Sequence, residues 1–93
     1  MAELTLDYFS AAAGESFEMQ VGEATVPAEL IHVCALPDSG REGGSFRLEF
    51  RGPAEPAWQQ GTFTFRRNGE ALEIFVCAVA RSEAGTVYEA IFY

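Results

Sequence analysis

Three observations predict a mainly β protein, a compact six-stranded antiparallel barrel or two-layer sandwich with one short N-terminal helix. The first is the Asn68-Gly69 pair between alternating segments, since both residues accept the positive φ angles of a type I′ hairpin. The second is the clean alternation of Phe46, Leu48 and Phe50 with Arg47, Glu49 and Arg51. The third is density: six strand-like runs within 93 residues leave room for one core, so residues 1–93 are read as a single β domain.

Thr5 to Ala12 is the segment with helical signals. Thr5 can cap it, Asp7 lies in its first turn, Leu6 and Phe9 share a face, and Gly14 ends it. Two turns do not stand alone in water, so docking onto the sheet must stabilise them. Glu15 to Val21 alternates, with Phe17, Met19 and Val21 on one side and Ser16, Glu18 and Gln20 on the other. Val21-Gly22-Glu23-Ala24 turns the chain. Thr25 to Leu36 is apolar at nearly every position from Leu30 onward, which predicts a central strand buried on both faces, with Pro27 confined to its beginning or to an edge. Pro37 to Gly44 is a glycine-rich loop, and Ser45 to Arg51 is the next strand. Gly52 to Gln60 contains two prolines and must cross between strands without pairing regularly.

Gly61 to Tyr93 reads as three consecutive strands. The two-residue turn at Asn68-Gly69 sets Arg67 opposite Glu70, Phe65 opposite Leu72 and Phe63 opposite Ile74. A three-residue loop, Glu83-Ala84-Gly85, is expected next, with Ser82 opposite Thr86, Ala78 opposite Ala90 and Val76 opposite Phe92. These registers put Phe63, Phe65, Leu72, Ile74, Val76, Ala78, Ala80, Tyr88, Ala90 and Phe92 on an inner face. Phe75, Cys77, Val79, Val87, Ile91 and Tyr93 fall on the outer one, so the sheet is apolar on both sides and its second side calls for a cover.

A net charge of −8, with six arginines and no lysine, argues against nonspecific nucleic-acid binding and against an anionic membrane surface. No run approaches the roughly 18 to 20 apolar residues that span a bilayer, and Met1-Ala2-Glu3-Leu4 lacks the basic and apolar regions of a secretory signal, so a cytoplasmic location is expected. Cys34 and Cys77 occur in apolar strand runs without metal spacing and are read as buried, reduced thiols, with a disulfide between them as the alternative. His32 is the single histidine, Ser39 lies in nothing like a nucleophile elbow, and most acids alternate with apolar residues, as Glu18, Glu49, Glu73 and Glu89 do. Asp38-Ser39-Gly40-Arg41-Glu42 offers only a fragment of a calcium loop. No metal, no cofactor and no enzymatic activity are expected. Trp58 is either a lid on the core or an exposed anchor for a partner, and Arg67 is expected to pair with Glu70 at the hairpin tip.

Phe50-Arg51-Gly52-Pro53, then Gly61-Thr62-Phe63, then Tyr88-Glu89-Ala90-Ile91-Phe92, with an early Gly14-Glu15-Ser16-Phe17, together resemble a family of small uncharacterised bacterial proteins, a domain of unknown function. The likeness covers nearly the whole chain. Members of that family are often encoded near phage-tail-collar-like proteins, the group that includes the microcystin-dependent proteins. The resemblance therefore implies a structural or assembly component of a tail-like particle, and it transfers no catalytic residue. From the residues themselves, the expected function is a non-enzymatic interaction module in which Phe75, Val79, Ile91 and Tyr93, with Trp58, contact a partner protein or a second copy. Two readings compete with it. In one, the Thr5 to Ala12 helix and a neighbouring strand cover the outer stripe within the monomer. In the other, a small barrel binds an apolar ligand among Phe63, Phe65, Tyr88 and Phe92 through an opening near Asp38 to Gly44.

Overall fold

The fold is a closed antiparallel barrel, seen in a computed structural model that describes residues 5–36, 45–55 and 58–92. One helix, α1 (Leu6–Ala11), precedes six strands: β1 (Ser16–Val21), β2 (Ala24–Ala35), β3 (Phe46–Gly52), β4 (Gln60–Arg67), β5 (Glu70–Ser82) and β6 (Gly85–Phe92). Around the barrel the order is β1-β2-β3-β6-β5-β4, with β4 returning to β1, so of the two expected architectures the barrel is the one formed. Closure pairs the sheet's two outermost strands with each other, which no sandwich does. The Pro37 to Gly44 loop and Tyr93 lie outside the described residues.

The Asn68-Gly69 hairpin has the expected geometry. Asn68 and Gly69 both take positive φ, 52° and 81°, and the register runs Arg67↔Glu70, Phe65↔Leu72, Phe63↔Ile74. Inward positions of β1, β3 and β4 meet at the centre, where Phe17, Met19, Leu48, Phe50 and Phe65 are fully buried. Their rings touch across the interior: Phe50 lies 4.6 Å from Phe65 and 5.4 Å from Phe17 between centroids. β3 ends at Gly52 and Pro53 leaves the ladder, because proline has no N–H to donate. Pro27 pairs with Glu18 of β1 but precedes the first β2–β3 partners, Glu29↔Arg51, and is therefore a local edge as expected.

The second hairpin departs from the expected register. Its turn is the two-residue Glu83-Ala84, with Ser82↔Gly85 and Arg81↔Thr86. Gly85 belongs to β6, where a Cβ would lie 2.2 Å from the Gly52 carbonyl oxygen. Close passage of β3's end over β6, together with a φ of +139°, explains the glycine there. A second irregularity follows at Val79, between Ala78↔Tyr88 and Ala80↔Val87. The one-residue change at the turn and the one-residue bulge add to two, so Ala78 faces Tyr88 instead of Ala90. Tyr88 and Ala90 nevertheless stay inside. A shift of two preserves every face, whereas a shift of one inverts it. The segment between turn and bulge is inverted, so Arg81 shares a side with buried Thr86 and Ala80 is exposed instead of inward; Ala78, opposite Tyr88, is exposed as well because β5 has there reached the end of its pairing with β4.

β2 is also corrected. Its inward Ala28 and Leu30 are buried, but Ile31 is 38 % exposed and His32 is exposed, so the strand is covered on one face only. The continuous apolar run is broken structurally by a bulge between Leu30 and His32, which turns Ile31 out of the alternation.

Candidate functional site

The helix does not cover the outer stripe. Thr5 caps it, with Oγ1 accepting the Tyr8 N–H at 3.1 Å, and the capped turn aims Phe9 into the barrel mouth. There Phe9 packs 5.6 Å from Phe46, the first residue of β3, and 6.2 Å from Phe92, the last of β6. Arg67 fixes the same end. Its Nε donates to Glu15 at 2.8 Å and its Nη1 to the Tyr8 hydroxyl at 3.4 Å, which in turn donates to Glu70 at 3.4 Å. The expected Arg67–Glu70 pair is thus replaced by an Arg67–Glu15 bridge, with Tyr8 standing between Arg67 and Glu70. The Arg67 hydrogen bond holds the Glu15 carboxyl below its ordinary range, and Glu15, then Tyr8, raises the Arg67 guanidinium.

Phe75, Val79 and Ile91 consequently stand out from the β5–β6 wall at 54, 52 and 47 % exposure. Phe75, Cys77, Glu89 and Ile91 line a shallow depression of about 310 Å³ on that wall. Beside it, Arg47 of β3 donates to Glu49 at 2.7 Å and to Glu89 at 2.9 Å. Those two carboxylates, Glu89 foremost, hold the guanidinium more firmly protonated than usual. The triad, one guanidinium between two carboxylates, borders the apolar stripe with a net-negative polar strip. Cys34 and Cys77 are free thiols, and both are half-buried on the outer wall instead of buried in the core. Their positions explain the difference: Cys34 pairs with outward Arg47, and Cys77 with outward Glu89.

Trp58 occupies the opposite end of the barrel. Half-buried against the core, it lies 6.2 Å from Phe63, and its backbone N–H donates to the Tyr88 hydroxyl at 3.2 Å. This is the lid position. Its edge also borders a second depression of about 400 Å³, shared with Gln59 and Ala78 to Arg81. The structure therefore brings Phe75 and Ile91 together, sets Val79 further along the same strand, and holds Trp58 at the end beyond it.

Phe65 and Tyr88, two rings proposed to line an apolar interior, are fully buried, and the expected opening at Asp38 to Gly44 lies outside the described residues. Among the described residues, no three of His, Cys, Asp and Glu gather as a metal site would require. No helix of the described chain is long and apolar enough to cross a membrane.

Two features of the site were not anticipated from sequence. One is the overhang of β5, whose 13 residues outrun the eight of β4. Distances between the turn signals could have revealed it: Gly69 to Glu83 leaves a far longer run than Gly61 to Asn68. The other is the Gly52–Gly85 approach, for which a glycine following a strand-terminal arginine gives no local signal.

A closed six-stranded antiparallel barrel, plugged by a helix at one end and capped by a tryptophan at the other, defines a small all-β module. The chain belongs to the family described as a domain of unknown function (DUF6916), whose model matches residues 4–92. Neither a curated protein nor a solved structure matches it.

Proposed function

We propose that this protein is a non-enzymatic interaction module whose outer β5–β6 wall packs against another protein chain. The observation that carries the reading is the exposure of Phe75, Val79 and Ile91 on one wall while α1, the one helix of the described residues, is committed to the barrel mouth. Large apolar side chains left in water along one wall mark a contact surface when nothing among the described residues covers them. Resemblance to small proteins encoded beside phage-tail-collar-like proteins supports assembly into a tail-like particle in the cytoplasm.

The test is Phe75→Ala. A partner-facing Phe75 contributes little to the monomer, so the variant should unfold within about 1 kcal/mol of the parent while losing self-association in light scattering or recovery of the native partner. A loss of roughly 3 to 5 kcal/mol, the cost of a truncated core phenylalanine, would show that the stripe is covered within the chain. A strictly monomeric protein that also recovers no partner would remove the reading.

A further inference from the structure

The β5–β6 arm exposes a backbone edge, and we infer that this edge takes an extended, basic segment of a partner protein by strand addition. This rests on the interaction-module reading and names the mode and chemistry of the contact.

The edge follows from strand lengths. β4 pairs with β5 from Arg67↔Glu70 to Gln60↔Cys77, and one further bond, the Ala78 N–H to the Gln59 carbonyl at 2.6 Å, ends the contact. The chain then swings off: the Trp58 N–H turns to Tyr88, and Ala54 is held by Arg81 and Thr86 on the barrel side of the arm. Among the described residues nothing pairs with β5 beyond Ala78 on the β4 side, whereas β6 continues to pair with it through Ser82↔Gly85. Ala80 to Ser82 therefore form the rim of a two-stranded arm, and Ala78 to Ala84 are all exposed. Such an edge is normally blunted by charge or by coverage. Arg81 does not blunt it, because its guanidinium is drawn away to Ala54 and to Glu55 at 2.8 Å.

Side-chain chemistry selects the occupant. The depression beside the edge, lined by Trp58 and Val79 among others, accepts an apolar side chain from an added strand, the usual way in which backbone pairing is given specificity. Charge decides against a second copy. Arg47, Arg51, Arg67 and Arg81 are each bound to a carboxylate, leaving Arg66 as the described arginine outside those bridges, in a chain of net charge −8. Glu83 stands exposed at the arm's tip. Like-charged copies would repel there, and a lysine- or arginine-bearing strand would be steered to it.

A displayed library of random nine-residue peptides, panned against the intact protein, tests the inference. Enriched peptides should alternate one or two apolar residues with lysine or arginine and lack acids. A synthetic enriched peptide should slow amide hydrogen exchange within Val79 to Ser82, and N-methylation of its alternate backbone nitrogens should weaken binding at least tenfold with the protein unaltered. Failure to enrich any peptide, or a bound peptide that leaves those amides unprotected, would overturn strand addition. If such a peptide instead perturbs Phe75 and Ile91, strand addition fails and the outer-wall reading survives.

Discussion

The two ends of the barrel solve the same problem in opposite ways. At the helix end, side chains do the sealing: Phe9 fills the mouth between Phe46 and Phe92, and Arg67 ties Glu15 and Tyr8 to the hairpin tip. At the arm end, backbone does it. The end of β3 passes so close to β6 that Gly52 and Gly85 nearly touch, and in the crossing that follows the single Ala54 carbonyl accepts from both Arg81 and Thr86. A side-chain seal tolerates adjustment, because rotamers move. A backbone seal does not.

The largest effect should come from the backbone seal. Gly85→Ala places a Cβ 2.2 Å from the Gly52 carbonyl, where neither chain can yield without breaking the β3–β6 ladder. We expect a loss of about 4 kcal/mol or more in denaturant unfolding, in the range reserved for backbone strain and steric conflict. Gly22→Ala is the reference for the ordinary left-handed penalty, since its φ is +61° and no atom lies within 4 Å of the added Cβ, whereas Gly85 at +139° carries a steeper conformational cost as well as the clash. Gly22→Ala should cost only the left-handed penalty, about 1 to 2 kcal/mol. Equal costs at the two positions would mean that neither the close approach nor the unusual φ demands Gly85.

Phe9→Ala probes the side-chain seal. The ring is fully buried among aromatic neighbours, so about 3 to 4 kcal/mol should be lost. Partial collapse of Phe92 into the space would lower that figure. Hydrogen exchange should locate the loss at the β3 start and β6 end, with the arm unaffected. Acceleration throughout the barrel would show instead that the helix is part of the global folding unit.

The same contrast governs what was legible in the sequence. Asn68-Gly69 revealed its hairpin because the turn is specified by the turn residues themselves, and the register followed residue for residue. Glu83-Ala84-Gly85 misled because Gly85 serves a distant partner, the Gly52 carbonyl, so a local turn rule assigned the glycine to the wrong role. The faces of Tyr88 and Ala90 came out right although their partners did not, because turn and bulge displacements summed to an even number. Leu30 to Leu36 was overread for a related reason: an apolar run carries no sign of a bulge at Ile31. Of the candidate contact residues, exposure of Phe75, Val79 and Ile91 followed from alternation alone, whereas the end of the β4–β5 pairing at Cys77 required knowing where β4 begins.

The smallest effect expected is at the Arg67–Glu15 bridge, and its sign is definite. Hydrogen bonding to Arg67 lowers the Glu15 pKa in the folded protein relative to the unfolded chain. A lowered carboxylate pKa contributes stability that is fully present above the unfolded value and is lost as pH falls through the folded one. Glu15→Gln should therefore lower the denaturant midpoint slightly at neutral pH, and the difference from the parent should shrink as pH falls through the lowered folded value and vanish once the carboxyl is protonated in both the folded and unfolded states. Exposure of the Glu15 side chain keeps the effect small and makes it sensitive to salt, so high ionic strength should shrink it at neutral pH as well. The backbone bonds of Glu15, its N–H to Ala12 and its carbonyl from Leu30, are untouched by the substitution. A deficit that persisted unchanged in acid would assign the role of Glu15 to packing or to those strand contacts, and the helix end would then be sealed by Phe9 without help from charge.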